Sequence, residues 1–186
     1  LQQQINPHFL HNTLNTIYWE AIGLTKGPNV CSEMLTKLAS IMRYSLGNPD
    51  EIVTMKDELD YLKSYVYIQE KRYNYKFHME YDIDENVFSY PIRKMILQPL
   101  VENSISHGIK SLKREGVIRL KIHRKGKGVY VSILDNGIGM SAEQIKELKK
   151  SLESREEYGT HVGLANVDRR LVLAYGKQAE LHIVSR

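Results

Sequence analysis

From Leu1 to about Leu24, apolar residues recur every three or four positions (Ile5, Phe9, Leu10, Leu14, Ile17, Tyr18, Ile22), the period of a helix with one apolar face. Gly23, Gly27 and Pro28 end it. Pro7 falls inside this stretch, so the helix either restarts there, with Asn6 as N-cap, or runs on with a kink. Both versions set His8 beside a backbone irregularity. A second helix is predicted from Val30 to Leu46, on Met34, Leu35, Leu38, Ile41 and Met42, before Gly47-Asn48-Pro49 breaks the chain. Two helices with a short connection predict an antiparallel hairpin. Its apolar stripe needs covering, and a second copy of the chain is the usual solution.

A third helix is predicted from Met55 to about Asn74, carrying Leu59, Leu62, Tyr65, Val66 and Ile68 inward. The period then changes to two, with Phe77, Met79, Tyr81 and Ile83 alternating as in a half-buried strand. Pro91 is expected to open a helix running to Gly108. Strands follow at Val117–His123 and Val129–Leu134, joined as a hairpin at Gly126-Lys127-Gly128. A helix from Ser141, a polar stretch to His161, a helix from Gly163 to Tyr175 and a strand from Ala179 complete the run. The chain begins inside a helix and stops as its last strand starts, so a fragment of a longer protein is expected, with a closing strand beyond Arg186.

Composition narrows the class. The 186 residues are 42% hydrophobic and 26% charged, which fits a folded chain with room for a helical segment plus one compact α/β domain. No run nears the roughly 18 apolar residues of a membrane span, and the chain opens without an export signal. Cys31 is the single cysteine, so an internal disulfide and a Cys-based zinc site are excluded, and a reducing compartment fits. The net charge of +4 comes from scattered basic residues. With no basic and aromatic platform and no recognition-helix pattern, direct nucleic-acid binding is not expected.

Three stretches can carry chemistry. In Leu134-Asp135-Asn136-Gly137-Ile138-Gly139-Met140 a strand delivers an Asp into a turn with two glycines. Its carboxylate can accept from an exocyclic amine while bare backbone lets a flat base approach, although an ordinary strand-ending turn reads the same way. Between Leu97 and Gly108, helical spacing lays Asn103 and His107 on one face. An amide oxygen beside the Glu102 carboxylate is the kind of hard ligand Mg²⁺ takes; the plain alternative is an amide and a His satisfied at a helix surface. Gly159-Thr160-His161-Val162-Gly163-Leu164 runs into a helix N-terminus, whose N–H groups bind phosphate without side chains, or it is simply a loop. There is no GxxxxGK[ST] loop and no HRD or DFG set.

In order and spacing these stretches resemble the ATP-binding domain shared by histidine kinases, gyrase-type topoisomerases, Hsp90 chaperones and MutL repair proteins. The resemblance implies an N-box Asn at Asn103 that binds Mg²⁺, with Glu102 as a candidate second ligand. It makes Asp135, with Gly137 and Gly139, the adenine-binding DxGxG box. Gly159 and Gly163 then bound the GxxxG segment after a lid, and His107, Thr160, Val162 and Leu164 join the ATP-binding set. The segment Gln4-Ile5-Asn6-Pro7-His8-Phe9-Leu10-His11-Asn12-Thr13-Leu14-Asn15 resembles the phosphoacceptor segment of LytS/YesM-type sensor histidine kinases, in which the His after Asn-Pro is phosphorylated. Further matches at Arg43-Tyr44-Ser45-Leu46, Glu58-Leu59, Tyr65, Ile68-Gln69, Arg72, Leu97–Asn103, Val162-Gly163-Leu164, Asn166-Val167 and Arg170-Leu171 extend the likeness over nearly the whole chain. His161 departs from a usual Gly, Ser106 from a common basic residue, and the lid from Ser141 to Tyr158 has no phenylalanine-containing box.

That resemblance implies an α+β fold: a dimerising N-terminal helical hairpin (1–54), then an α/β sandwich ATP-binding domain (55–186) with a mixed, mostly antiparallel sheet covered by helices on one face. It implies an autokinase using ATP and Mg²⁺, in which His8 attacks the γ-phosphorus in line and passes the phosphoryl group to an Asp of a response-regulator receiver domain. It implies a homodimer through the N-terminal helices, in the cytoplasmic portion of a bacterial cell-membrane protein attached through upstream segments. His11 and Asn12 share the face of His8, and the resemblance gives Asn12 a part in dephosphorylation. His8 and His11 lack a third ligand for a metal site. Two rival readings remain. One is a degenerate, nucleotide-responsive dimeric signalling module, favoured by His161 and Ser106; the other is an ATPase of the same fold, disfavoured by Pro99 where the hydrolytic members place a catalytic Glu.

Overall fold

The computed structural model describes residues 7–48, 50–154 and 162–185. Helix α1, Pro7–Thr25, and helix α2, Val30–Ser45, pack as the expected hairpin. Asn29 closes it. Its side-chain oxygen accepts from the Ser32 N–H at 3.0 Å, and its amide donates to the Ala21 carbonyl at 2.7 Å, so one residue caps α2 and ties it to α1. No residue of α1 is buried, and Phe9, Ile17 and Leu24, which share one face, are 64%, 47% and 87% exposed. A helix with one neighbour leaves an apolar face outside.

Strand β1, Ile52–Thr54, enters helix α3, Met55–Arg72, through a capping box of Thr54 and Asp57. After α3 the chain turns through Asn74 and Tyr75, both in the left-handed region, into strand β2, Phe77–Ile83. The expected helix from Pro91 does not form there. Residues Pro91–Arg93 make a short strand, β3, antiparallel to β1, which the sequence reading missed with it. Met95 then takes φ 57°, which no right-handed helix can contain, and helix α4 spans only Leu97–Asn103. Beyond it Ser104–Ile109 widens into a π-helical turn.

Strands β4, Gly116–Lys125, and β5, Gly128–Asp135, form the predicted hairpin, with Gly126 at φ 61° opening its turn. Helices α5, Ala142–Ser154, and α6, Val162–Tyr175, follow. The expected strand from Ala179 is corrected: residues 179–185 keep a period-two burial pattern but pair with no described strand. Alternation shows which side chains turn inward, whereas a strand also needs a partner for its N–H and C=O groups.

The three-stranded sheet runs β2-β4-β5, with β2 parallel and β5 antiparallel to β4, and is therefore mixed. Ile118, Leu120 and Ile122 are fully buried on the face toward the helices, where they share a core with Leu62 of α3 and Leu97 and Val101 of α4. On the other face Arg119 and Lys121 pair with Glu80 and Asp82 at 2.6 and 3.1 Å, as the β2–β4 register dictates. Exposed pairs contribute little, so the apolar alternation sets the register.

Candidate functional site

Strand β5 ends at Asp135, whose Oδ1 accepts from the Gly137 N–H at 3.0 Å. Gly108 of the π-turn faces it so closely that a Cβ there would stand 2.7 Å from that oxygen. A Cβ on Gly137 would stand 2.6 Å from both the Cα and the carbonyl oxygen of Gly108, and that carbonyl accepts from the Ile138 N–H at 3.0 Å. The turn after β5 and the π-turn after α4 thus pack together, Gly137 against the backbone of Gly108 and Gly108 against the Asp135 side chain. Gly139, at φ 69°, needs glycine for its conformation. Asn136 anchors the turn from behind, accepting from the Val117 N–H of β4 at 2.8 Å.

Of the other expected nucleotide residues, His107 lies in the π-turn whose Gly108 meets Asp135. Asn103, half-buried, is the last residue of α4; Glu102 and His107 are exposed, and the spacing from Asn103 to His107 crosses the junction into the π-turn. Gly163 lies where an added Cβ would be 4.0 Å from Pro99 of α4, and Leu164 is buried, so the start of α6 sits against α4. Gly159, Thr160 and His161 lie outside the described residues, and so does the side chain of Val162. No three His, Cys, Asp or Glu side chains converge as a metal cage among the described residues. Glu102 and Asn103, consecutive on α4, each offer one oxygen-bearing side chain of the kind that hard cations take.

His8 stands in the first turn of α1, exposed, with Asn12 Nδ2 at 3.4 Å from Nδ1 and 3.3 Å from Nε2. His11 meets the side-chain amide of Asn15 at 3.2 Å. His8 and His11 line a cleft of about 520 Å³ between α1 and α2, closed on the α2 side by Met42, Arg43 and Leu46. Arg43 brings a fixed positive charge to that cleft. None of its lining residues belongs to the nucleotide set, so acceptor and nucleotide site are built from separate parts.

The residues that hold α4 in place were given no role by the motifs. Glu58 of α3 is fully buried, yet its carboxylate takes four donors: the N–H groups of Met95, Ile96 and Leu97 at 2.8, 2.7 and 2.9 Å, and the Tyr44 hydroxyl at 2.5 Å. A carboxylate offers about four lone-pair sites, so this charge is satisfied. Burial, and then the Glu58 carboxylate, raises the pKa of the Tyr44 hydroxyl, which therefore stays a donor. From α6, Arg170 donates to the carbonyls of Lys94 and Met95 at 2.6 and 3.1 Å, and the Tyr175 hydroxyl accepts from the Arg93 N–H at 2.9 Å. Glu58 did leave a signal in the sequence. Three residues after Met55 and four before Leu62, it falls on the buried stripe of α3, where a charge must be paired.

Residues 93–186 match the family described as histidine kinase-, DNA gyrase B- and HSP90-like ATPase. The chain belongs to this ATPase family. Residues 1–77 of this ATPase-family chain match a second family, histidine kinase. An uncharacterized sensor-like histidine kinase of Staphylococcus epidermidis is 36% identical over all 186 residues, and the sensor protein kinase HptS of Staphylococcus aureus is 33% identical over the same length. The chain spans 35% of each of these relatives. The histidine kinase domain of the blue-light activated histidine kinase from Erythrobacter litoralis EL346 shares the fold, with a TM-score of 0.50 at 14% identity over 94% of this chain and 77% of that one. Among the described residues no helix is long and apolar enough to cross a membrane.

Proposed function

We propose that the chain is the phosphoacceptor and catalytic region of a LytS/YesM-type sensor histidine kinase, which moves the γ-phosphoryl group of ATP onto His8. The carrying observation is the closure of the Asp135 turn on Gly108. It leaves a carboxylate at the mouth of a glycine-lined surface beside α4, where an adenine amine can donate to it. Asn103, with Glu102 beside it, is the oxygen pair for Mg²⁺, which when bound offsets the charge of the phosphates. His107, Gly139, the segment from Gly159 through Thr160 and Val162 to Gly163, and Leu164 complete the nucleotide set. Transfer is mainly a matter of positioning. A neutral imidazole already carries a nucleophilic nitrogen, and Asn12 holds the His8 ring from one turn away.

Residues 1–54 act as the dimerising unit and 55–186 as the ATP-binding unit. The exposed Phe9, Ile17 and Leu24 on one face of α1 support a homodimer, since a second hairpin would cover them. The phosphoryl group then passes to an Asp of a response-regulator receiver domain docking on the His8 helix. The whole protein is held at the bacterial cell membrane by segments upstream, with this region on the cytoplasmic side.

The test is incubation with Mg²⁺ and γ-labelled ATP of the wild type, His8→Gln and Asp135→Asn. Acid-labile, alkali-stable label on the wild type, none on His8→Gln and little on Asp135→Asn is expected. Multiple-turnover phosphate release without labelled protein would make the chain an ATPase instead.

A further inference from the structure

We infer that Arg170, Glu58 and Tyr44 are positioning residues that tie the nucleotide site on α4 and α6 to the hairpin carrying His8. The inference rests on the proposed nucleotide site. Its basis is the way residues 94–97 are gripped. The peptide group joining Lys94 to Met95 gives its carbonyl to Arg170 and its N–H to Glu58; the next one, joining Met95 to Ile96, does the same. Two consecutive peptide groups therefore bridge a guanidinium and a fully buried carboxylate. The left-handed Met95, at φ 57°, lies between them. Each peptide is polarised by a charge at both ends, which strengthens both of its hydrogen bonds.

The bracket joins three elements. Arg170 rides on α6, which begins at Val162-Gly163-Leu164; Glu58 caps α4, which ends at Asn103; Tyr44 donates to Glu58 from α2, next to Arg43 of the His8 cleft. A second contact runs alongside, with Tyr44 stacked on Tyr61 at 4.4 Å and the Tyr61 hydroxyl donating to Gln98 of α4 at 2.5 Å. A shift of α6 when phosphates engage its start cannot leave residues 94–97 behind, and through Glu58 it reaches α2. A buried carboxylate stabilises a fold less well than apolar packing of the same volume, so the use of Glu58 at this joint points to geometry.

Two mild variants test this. Tyr44→Phe keeps the ring stack and deletes only the hydroxyl; Arg170→Lys keeps the charge and loses the fork. For each, the affinity for Mg-ADP is measured together with hydrogen exchange of α2 amides with and without Mg-ADP, thermal midpoint, and the ATP dependence of His8 labelling. In the wild type Mg-ADP is expected to slow exchange in α2. Tyr44→Phe should bind Mg-ADP within about twofold of wild type yet lose that slowing, and its maximal labelling rate should fall about tenfold at unchanged KM. Arg170→Lys should weaken Mg-ADP about tenfold and raise KM. Retained slowing in Tyr44→Phe, or wild-type affinity in Arg170→Lys, overturns the inference. So do losses that merely follow each variant's thermal midpoint. A wild type that shows the α2 response but never labels His8 would sink the kinase reading and leave the coupling standing; one that does not bind Mg-ADP at all would sink both.

Discussion

Two glycine-to-alanine changes, made in the same contact, should have opposite consequences. At Gly108 the new Cβ would meet Asp135 Oδ1 at 2.7 Å and Cγ at 3.1 Å, atoms at the end of a side chain that can swing away. At Gly137 it would meet the Cα and carbonyl oxygen of Gly108 at 2.6 Å, which is backbone and cannot. Gly108→Ala is therefore expected to turn the carboxylate off its line at modest cost in stability. If that carboxylate receives the adenine amine, the lost bond to a charged acceptor is about 1.5–3 kcal/mol, or about 10- to 100-fold in ATP affinity. Gly137→Ala should push the two turns apart and strain the bond from Ile138 N–H to the Gly108 carbonyl. Overpacking of that kind costs about 1–3 kcal/mol, which in a chain of this size lowers the melting midpoint by several degrees. Displacement of a fluorescent ATP analogue and thermal denaturation read the two effects apart. Wild-type ATP affinity in Gly108→Ala, with the fold intact, would refute the assignment of Asp135 as the adenine acceptor.

Other outcomes follow from single residues. Gly139→Ala must hold φ 69° with a Cβ, which costs about 1–2 kcal/mol and should lower the thermal midpoint; an unchanged midpoint would contradict the left-handed turn. Ile17→Glu puts a charge on the exposed face of α1 and should turn a dimer into a monomer in sedimentation, whereas a surviving dimer would mean that another surface pairs the chains. The Tyr67 hydroxyl donates to Glu33 and links α3 to α2, and this bond, followed by burial, pushes its pKa up to about 12 from the ordinary 10.0. Because the folded value is the raised one, the contribution is complete below pH 10.0 and is lost as pH climbs through about 12. Tyr67→Phe should remove one late step from the phenolate absorbance titration and flatten the loss of stability over that window.

Much of the fold could be read where burial leaves a period. Ile118, Leu120 and Ile122 against Arg119 and Lys121 mark one face of a sheet, and the stripe of α3 marks a helix. Strand β3 was not legible, because three residues are too few to show alternation and a leading proline suits a helix start as well as an edge strand. Its partner β1 and the grip of Glu58 on the next turn decide the matter, and both are tertiary. The π-turn escaped for a related reason: over six residues its period is close to that of an α-helix, and the approach of Gly108 to Asp135 is a tertiary contact. At the site, Asp135, Gly137 and Asn103 came from spacing and resemblance. Glu58 and Arg170 stood inside matched segments with no chemistry attached, because their partners are backbone groups that a motif does not name.

On the proposed function, the imidazole of His8 receives the phosphoryl group. The most direct measurement is tandem mass spectrometry of the wild-type chain after incubation with Mg-ATP, digested at neutral pH so that a phosphoramidate survives. The expected result is a single phosphorylated peptide, modified on His8. Phosphate on Ser, Thr or another histidine with His8 unmodified would exclude His8 as the acceptor.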